Sequence, residues 1–232
     1  MTADEFAGAL KPHITEAEKV KLERFYKGDD SKTRALGVRF GTVFKLAKEY
    51  SAMPVAEIET LLEDDHYEMR IGAMRIMDYQ VQRKSTSEAQ RRALYELYLR
   101  RHDRIDNWDF VDAAAARVVG QYLADKPRQP LYDLARSDNR WERRTAMVAT
   151  HAFIKKGEVD DALAIAEILI DDPDELVTKA VGTFLREAGK VDPDRLRGFL
   201  DRHAPTMPRV TLRYALEKLD PDTKRRYMEM GR

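Results

Sequence analysis

Apolar residues along this chain recur three and four positions apart, and Gly and Pro fall in the gaps between the periodic stretches. That spacing predicts helices throughout. No run alternates with β-branched residues as a strand would. Residues 3–11 and 15–27 read as short N-terminal helices, and the polar stretch 27–34 as a loop. Val43, Leu46, Ala47 and Tyr50 share one helical face, predicting a helix over 38–50. Pro54 stands where a first-turn proline opens a helix, here running to about Glu63.

From there the pattern repeats. Asp65, Asp106, Asp138 and Asp172 each precede a helical stretch, at separations of 41, 32 and 34 residues. In each case an alanine follows eight residues later, at Ala73, Ala114, Ala146 and Ala180. Between them run second helices over 87–100, 127–136 and 159–170. The aspartates are read as N-caps, which accept backbone N–H groups at the first turn. The alanines let a neighbouring helix approach closely. A helix pair cannot bury its own apolar face, so such pairs stack. The period suits HEAT-like repeats. The expected fold is all-α, an α-solenoid forming one domain over 1–232. It divides into N-terminal helices 1–34, helical repeats 35–204 and C-terminal capping helices 205–232, the last as 206–219 and 221–229.

Composition narrows the class. With 232 residues the chain can bury a substantial core. Its 41 basic and 41 acidic residues cancel, so any nucleic-acid contact must come from a local basic stripe. The chain has no cysteine, which removes disulfide and thiolate chemistry. No basic segment followed by an apolar run opens the chain, and no stretch approaches the ~18 apolar residues that span a bilayer. These features lead to the expectation of a cytoplasmic protein.

Chemistry concentrates near the middle. Trp108 and Asp112 lie four residues apart at the start of a helix, so they share one face. Asp112 and Arg144 each follow their repeat aspartate by six residues, so they occupy equivalent places on neighbouring helices, with axes about 8–10 Å apart. The offset alone favours an ordinary inter-repeat ion pair, which is weak at a surface. Trp141 is expected to pack a neighbouring helix, and Trp108, among Asp106, Asn107 and Asp109, to be the more open. Lys179, Arg186 and Lys190 fall on one helical face; such faces are commonly just solvated. Arg143, Lys155, Lys156, Arg209 and Arg213 add to the basic residues of the C-terminal half. The five histidines form no zinc-helix pair, and there is no Gly-rich phosphate loop, nucleophile elbow or defensible metal cluster.

Several motifs together resemble the AlkD-type DNA alkylation repair glycosylases. They are Arg104-Ile105-Asp106-Asn107-Trp108-Asp109-Phe110-Val111-Asp112, Asn139-Arg140-Trp141-Glu142-Arg143-Arg144, Lys179-Ala180-Val181-Gly182, Leu185-Arg186-Glu187, Met207-Pro208-Arg209 and Leu212-Arg213-Tyr214-Ala215. Gly37-Val38-Arg39 and Leu46-Ala47-Lys48-Glu49 fit the same pattern, and the likeness covers roughly 35–219. It implies HEAT-like repeats whose concave basic face wraps duplex DNA, with purines alkylated at N3 or N7 as substrates. It implies Asp112 as the catalytic carboxylate, Trp108 as the cleft aromatic beside it, and Arg144 on backbone phosphate. Arg39, Lys179, Thr183 and Arg186 are implied as further DNA-binding positions. The resemblance also implies no cofactor, no metal, no base-flipping pocket, a monomer, and nucleoid association when DNA is bound.

One position departs from the pattern. Thr183 stands where the family carries a second cleft tryptophan. Phe184 is turned about 100° away and cannot replace it, so it is expected in the core. That departure motivates a second reading, a catalytically silent relative that binds distorted or branched DNA; the third is a protein-interaction scaffold, the common use of α-solenoids.

Overall fold

A computed structural model describes residues 1–26 and 31–230. The expected loop residues 27–30, including the end of the expected helix 15–27, lie outside them. Among the described residues the secondary structure is helical, apart from one isolated bridge between Arg34 and His66. Among the described residues no helix is long and apolar enough to cross a membrane. The chain forms two compact units, residues 1–122 and 123–232.

The first unit contains α1 (Ala3–Leu10), α2 (Glu16–Phe25), α3 (Phe40–Glu49), α4 (Val55–Glu63), α5 (Tyr67–Gln82), α6 (Glu88–Arg100) and α7 (Trp108–Ala114). Helix α1 begins with a capping box, Thr2 bonding the Glu5 amide while Glu5 reaches back to the Thr2 amide. Helix α5 is the centre of this unit and packs against α3, α4 and α7. Its Tyr67, Ile71, Met74, Ile76 and Met77 are buried on several sides, as expected of a helix enclosed by neighbours. Pro54 is the residue just before α4 rather than within its first turn.

Helix α7 ends after seven residues, where the backbone passes into a π-helix over Ala115–Gly120. Small side chains at 113–116 permit that wider winding against α5 and α6. Arg117, inside the π-helix, reaches Asp78 of α5 at 2.9 Å. Such segments are rare and are frequently found at functional sites.

The second unit contains α8 (Gln129–Leu134), α9 (Arg140–Ala149), α10 (His151–Ile154), α11 (Asp160–Leu169), α12 (Glu175–Val191), α13 (Pro193–His203), α14 (Arg209–Ala215) and α15 (Pro221–Glu229). Helix α12 is its centre and packs on α9, α11, α13 and α14. Its closest approach is to α14. A Cβ placed on Gly182 would sit 2.5 Å from the Thr211 carbonyl oxygen, so only glycine permits this crossing.

Helices begin close after each of the four aspartates, as their spacing predicts, but the capping assignment is corrected. Residues Asp65, Asp106, Asp138 and Asp172 stand one or two positions before the caps. The caps are His66, Asn107, Asn139 and Asp174. Asn139 accepts from the Trp141 amide at 2.9 Å, and Asp174 from the Leu176 amide at 2.7 Å. Asp172 instead holds the amide of Asp174 and pairs with Arg143. Asp106 turns into the interior.

Candidate active site

Two side-chain bridges fix the start of α7 against the start of α5. The wholly buried Arg70 donates to Asp106 at 2.9 Å, and the Tyr67 hydroxyl donates to Asp109. Asn107, also buried, donates to the other oxygen of Asp109 at 2.5 Å. Tyr26 donates its hydroxyl to Asp106, and burial together with that bond pushes the Tyr26 pKa up to about 12. Asp106 is therefore structural, but as the acceptor of a buried arginine and a tyrosine, not as a helix cap.

The segment leading into α3 is held in a comparable way. The buried Glu68 carboxylate accepts the backbone amides of Leu36, Gly37 and Val38 at 2.9, 2.7 and 2.9 Å. Gly37 has φ +103°, and its carbonyl takes the Thr15 amide at 2.9 Å. This positions Arg39 at the entrance of α3, exposed and paired with Glu18 of α2 at 3.2 Å.

Trp108 is half-buried, whereas Trp141 is buried with the Arg140 guanidinium 4.3 Å from its ring centre. The Trp108 ring meets Phe25 at 5.4 Å between centroids. Phe25 in turn contacts Phe40, which contacts Tyr67, which contacts Phe110. Trp108 is thus the outer end of a chain of rings that runs into the core. Such a backing limits how far the ring can swing. Asp112 follows one turn later, on the exposed side of α7 and immediately ahead of the π-helix.

Phe25 is a residue of this region that sequence reasoning missed. The helical period marks it as an α2 residue, but nothing local signals contact with a tryptophan 83 positions away. Beside it opens a groove of about 740 Å³, lined by Lys21, Leu22, Arg24, Phe25, Arg39 and Phe40 among others.

In the second unit Arg144 is buried in α9 and its guanidinium donates to the Leu176 carbonyl in the first turn of α12. On α12, Lys179 pairs with Glu175 at 2.6 Å and Lys190 with Glu187 at 2.7 Å. Arg186 binds Glu187 at 3.2 Å and also Glu217. Lys179, Arg186 and Lys190 thus all lie on α12, and each is paired with a carboxylate. Thr183 lies half-buried beside it. Phe184 is half-buried as well, and its ring lies 5.5 Å from that of His151. Arg143, Arg209 and Arg140 are engaged within the unit, by Asp172, the Met228 carbonyl and Asp174. Among the described residues no group of three or more His, Asp or Glu is placed to hold a metal ion.

The chain is similar to several solved structures. A predicted DNA alkylation repair enzyme from Enterococcus faecalis shares 18% identity with a TM-score of 0.69, covering 90% of this chain and 98% of that one. AlkD2 from Streptococcus mutans shares 18% with a TM-score of 0.53, covering 94% and 98%. The smu.31 protein of S. mutans UA159 shares 18% with a TM-score of 0.52, covering 94% and 99%. At this identity the likeness establishes a common fold. No curated protein matches the chain. The family model for the DNA alkylation repair enzyme matches residues 7–219, which takes in α2 and Phe25 as well as the motifs from Gly37 onward. The chain belongs to the DNA alkylation repair enzyme family.

Proposed function

We propose that this protein is a DNA glycosylase that excises cationic N3- or N7-alkylated purines from duplex DNA. The observation that carries the reading is the pairing on α7. An exposed carboxylate, Asp112, follows one turn after Trp108, whose ring is held from behind by Phe25. Membership of a DNA alkylation repair family supports alkylated DNA as the substrate.

The chemistry needs little more. A purine alkylated at N3 or N7 already carries positive charge, so it leaves as a neutral base without a general acid. Ordinary glycoside cleavage requires two carboxyl groups because the leaving oxygen must be protonated. Here the N-glycosidic bond breaks, water forms the new bond at C1′, and its proton passes to solvent. Asp112 stabilises the oxocarbenium-like sugar and orients that water. The Trp108 face favours adjacent positive character by about 0.5–2 kcal/mol, depending on desolvation. In this reading the repeats are HEAT-like and form an α-solenoid that tracks the DNA backbone along a concave face, without a base-flipping pocket. Arg39, Arg144, Lys179, Thr183 and Arg186 are its DNA contacts.

The test is release of 7-methylguanine or 3-methyladenine from methylated duplex, followed chromatographically. Wild type releases one or both. If neither these nor bulkier N3 or N7 adducts leave the DNA over long incubation, the enzymatic reading is lost.

Thr183 favours a second reading, a relative that binds distorted or branched DNA without excision. Without a tryptophan there, the sugar and lesion contacts are weaker while the carboxylate remains. Salt-sensitive duplex binding with no base release in the same assay is its signature.

A further inference from the structure

We infer that Tyr214 on α14 is the aromatic surface the second unit offers to an alkylated nucleotide, and that it serves this role in place of the tryptophan missing at Thr183. The inference rests on the proposed recognition of alkylated DNA.

Among the described aromatic side chains Tyr214 is the one that is exposed, at 37%. The others are half-buried or buried. Its root is nevertheless fixed. A Cβ on Gly182 would stand 2.6 Å from the Tyr214 Cβ, so the two helices touch at this point. The flanking Leu212 and Ala215 are fully or almost fully buried. The ring therefore projects from a rigid base, which keeps the entropy lost on contact small, as with tyrosines in binding surfaces.

Its surroundings fit a nucleotide. The Tyr214 phenol lies within electrostatic reach of the Lys179 ammonium. On α12, Gly182, Arg186, Lys179 and Thr183 follow one another around the helix, and Gly182 and Thr183 are about 100° apart. Tyr214 thus borders the Lys179–Arg186 ridge on one flank while Thr183 borders it on the other. Lys179 pairs with Glu175, and Arg186 with Glu187 and Glu217, so the ridge is near neutral; an aromatic face there suits a cationic base, while the basic heads can exchange their carboxylates for the adjoining phosphates. The usual fate of an exposed tyrosine is solvent contact with no partner, so the prediction must be specific to damage.

The probe is a labelled duplex bearing one 2′-fluoro-7-methylguanosine, a substituent that suppresses depurination, compared with the same unmodified duplex. Binding is measured by fluorescence anisotropy for wild type, Tyr214→Ala, Tyr214→Phe and Thr183→Trp, with folding checked by thermal denaturation. Tyr214→Ala is expected to cut the preference for the methylated duplex roughly fivefold to tenfold. Its affinity for unmodified DNA should change less than about twofold, Tyr214→Phe should retain the preference, and Thr183→Trp should restore it in the Tyr214→Ala background. An unchanged preference in Tyr214→Ala overturns the inference. So does an equal loss on both duplexes, or a wild type that binds neither. A wild type that excises alkylpurines while Tyr214→Ala keeps its preference leaves the glycosylase reading standing and removes this one. A preference that depends on Tyr214 without any excision does the reverse.

Discussion

Arg70 of α5 and Asp106, just ahead of α7, face each other at 2.9 Å with the arginine side chain wholly buried and that of Asp106 8% exposed. The pair sets where α7 starts, and hence where Trp108 and Asp112 stand. Removing one partner of such a pair leaves an uncompensated buried charge. Asp106→Asn is expected to lower stability by about 3–5 kcal/mol in urea denaturation. A loss below about 1 kcal/mol would mean that Tyr26 and the packing of α5, not the ion pair, hold this junction.

Two glycines make a matched contrast. Gly182 faces the α14 backbone, and Gly41 in α3 has open space where a Cβ would stand. Gly182→Ala should destabilise by about 1–3 kcal/mol through overpacking. Gly41→Ala should stabilise by up to about 1 kcal/mol, because alanine is the better helix former. Equal effects in thermal denaturation would contradict the close α12–α14 crossing.

His102 is buried beside Tyr98, and burial lowers its pKa to about 4. An unfolded chain protonates this residue near its ordinary value of about 6.5. Its contribution is therefore fully present above about pH 6.5 and is lost as pH falls toward 4. The loss is on the order of 3 kcal/mol. Between pH 7 and pH 5 the wild type should lose more stability than His102→Phe, measured by denaturant midpoints. Parallel pH profiles would show that His102 does not drive the acid sensitivity.

The resemblance implies that Arg144 contacts phosphate, yet it is 8% exposed and donates to the Leu176 carbonyl. A purely surface phosphate contact would leave stability unchanged when removed. Arg144→Ala should instead lower stability by about 1–3 kcal/mol as well as weaken duplex binding, since a buried acceptor loses its donor. Arg144→Lys keeps the charge without the guanidinium fork and should recover less of either property than charge alone would supply.

Much of the helical order could be read from periodicity, because the apolar stripes of α3, α4, α6 and α11 are regular and are bounded by Gly, Pro or polar runs. The caps were misplaced by one or two residues because Asp and Asn serve equally as caps and as acceptors in the turn before them. Helix α13 has a weaker apolar signal, although Asp192 caps it and Pro193 opens it. The π-helix after α7 leaves no periodic mark in a run of alanines. The Glu68 cradle, the Arg70–Asp106 pair and the Phe25–Trp108 contact join residues 30 or more positions apart, so no local window contains them. Of the proposed site, the shared face of Trp108 and Asp112 can be read from their i, i+4 spacing, whereas the roles proposed for them come from the family motif. What stands behind Trp108 cannot be read in this way.

The central claim is that the exposed carboxylate of Asp112 carries the chemistry. The direct measurement is single-turnover release of 7-methylguanine or 3-methyladenine from methylated duplex by wild type and Asp112→Asn, with denaturation and duplex binding recorded on the same samples. Asp112→Asn keeps the shape of the side chain on an exposed face of α7, so the variant should remain folded at the assay temperature. The account predicts that base release falls by at least about a hundredfold while duplex binding persists, as expected when a charge used only in the transition state is removed. Wild-type release that survives unchanged in Asp112→Asn would contradict it.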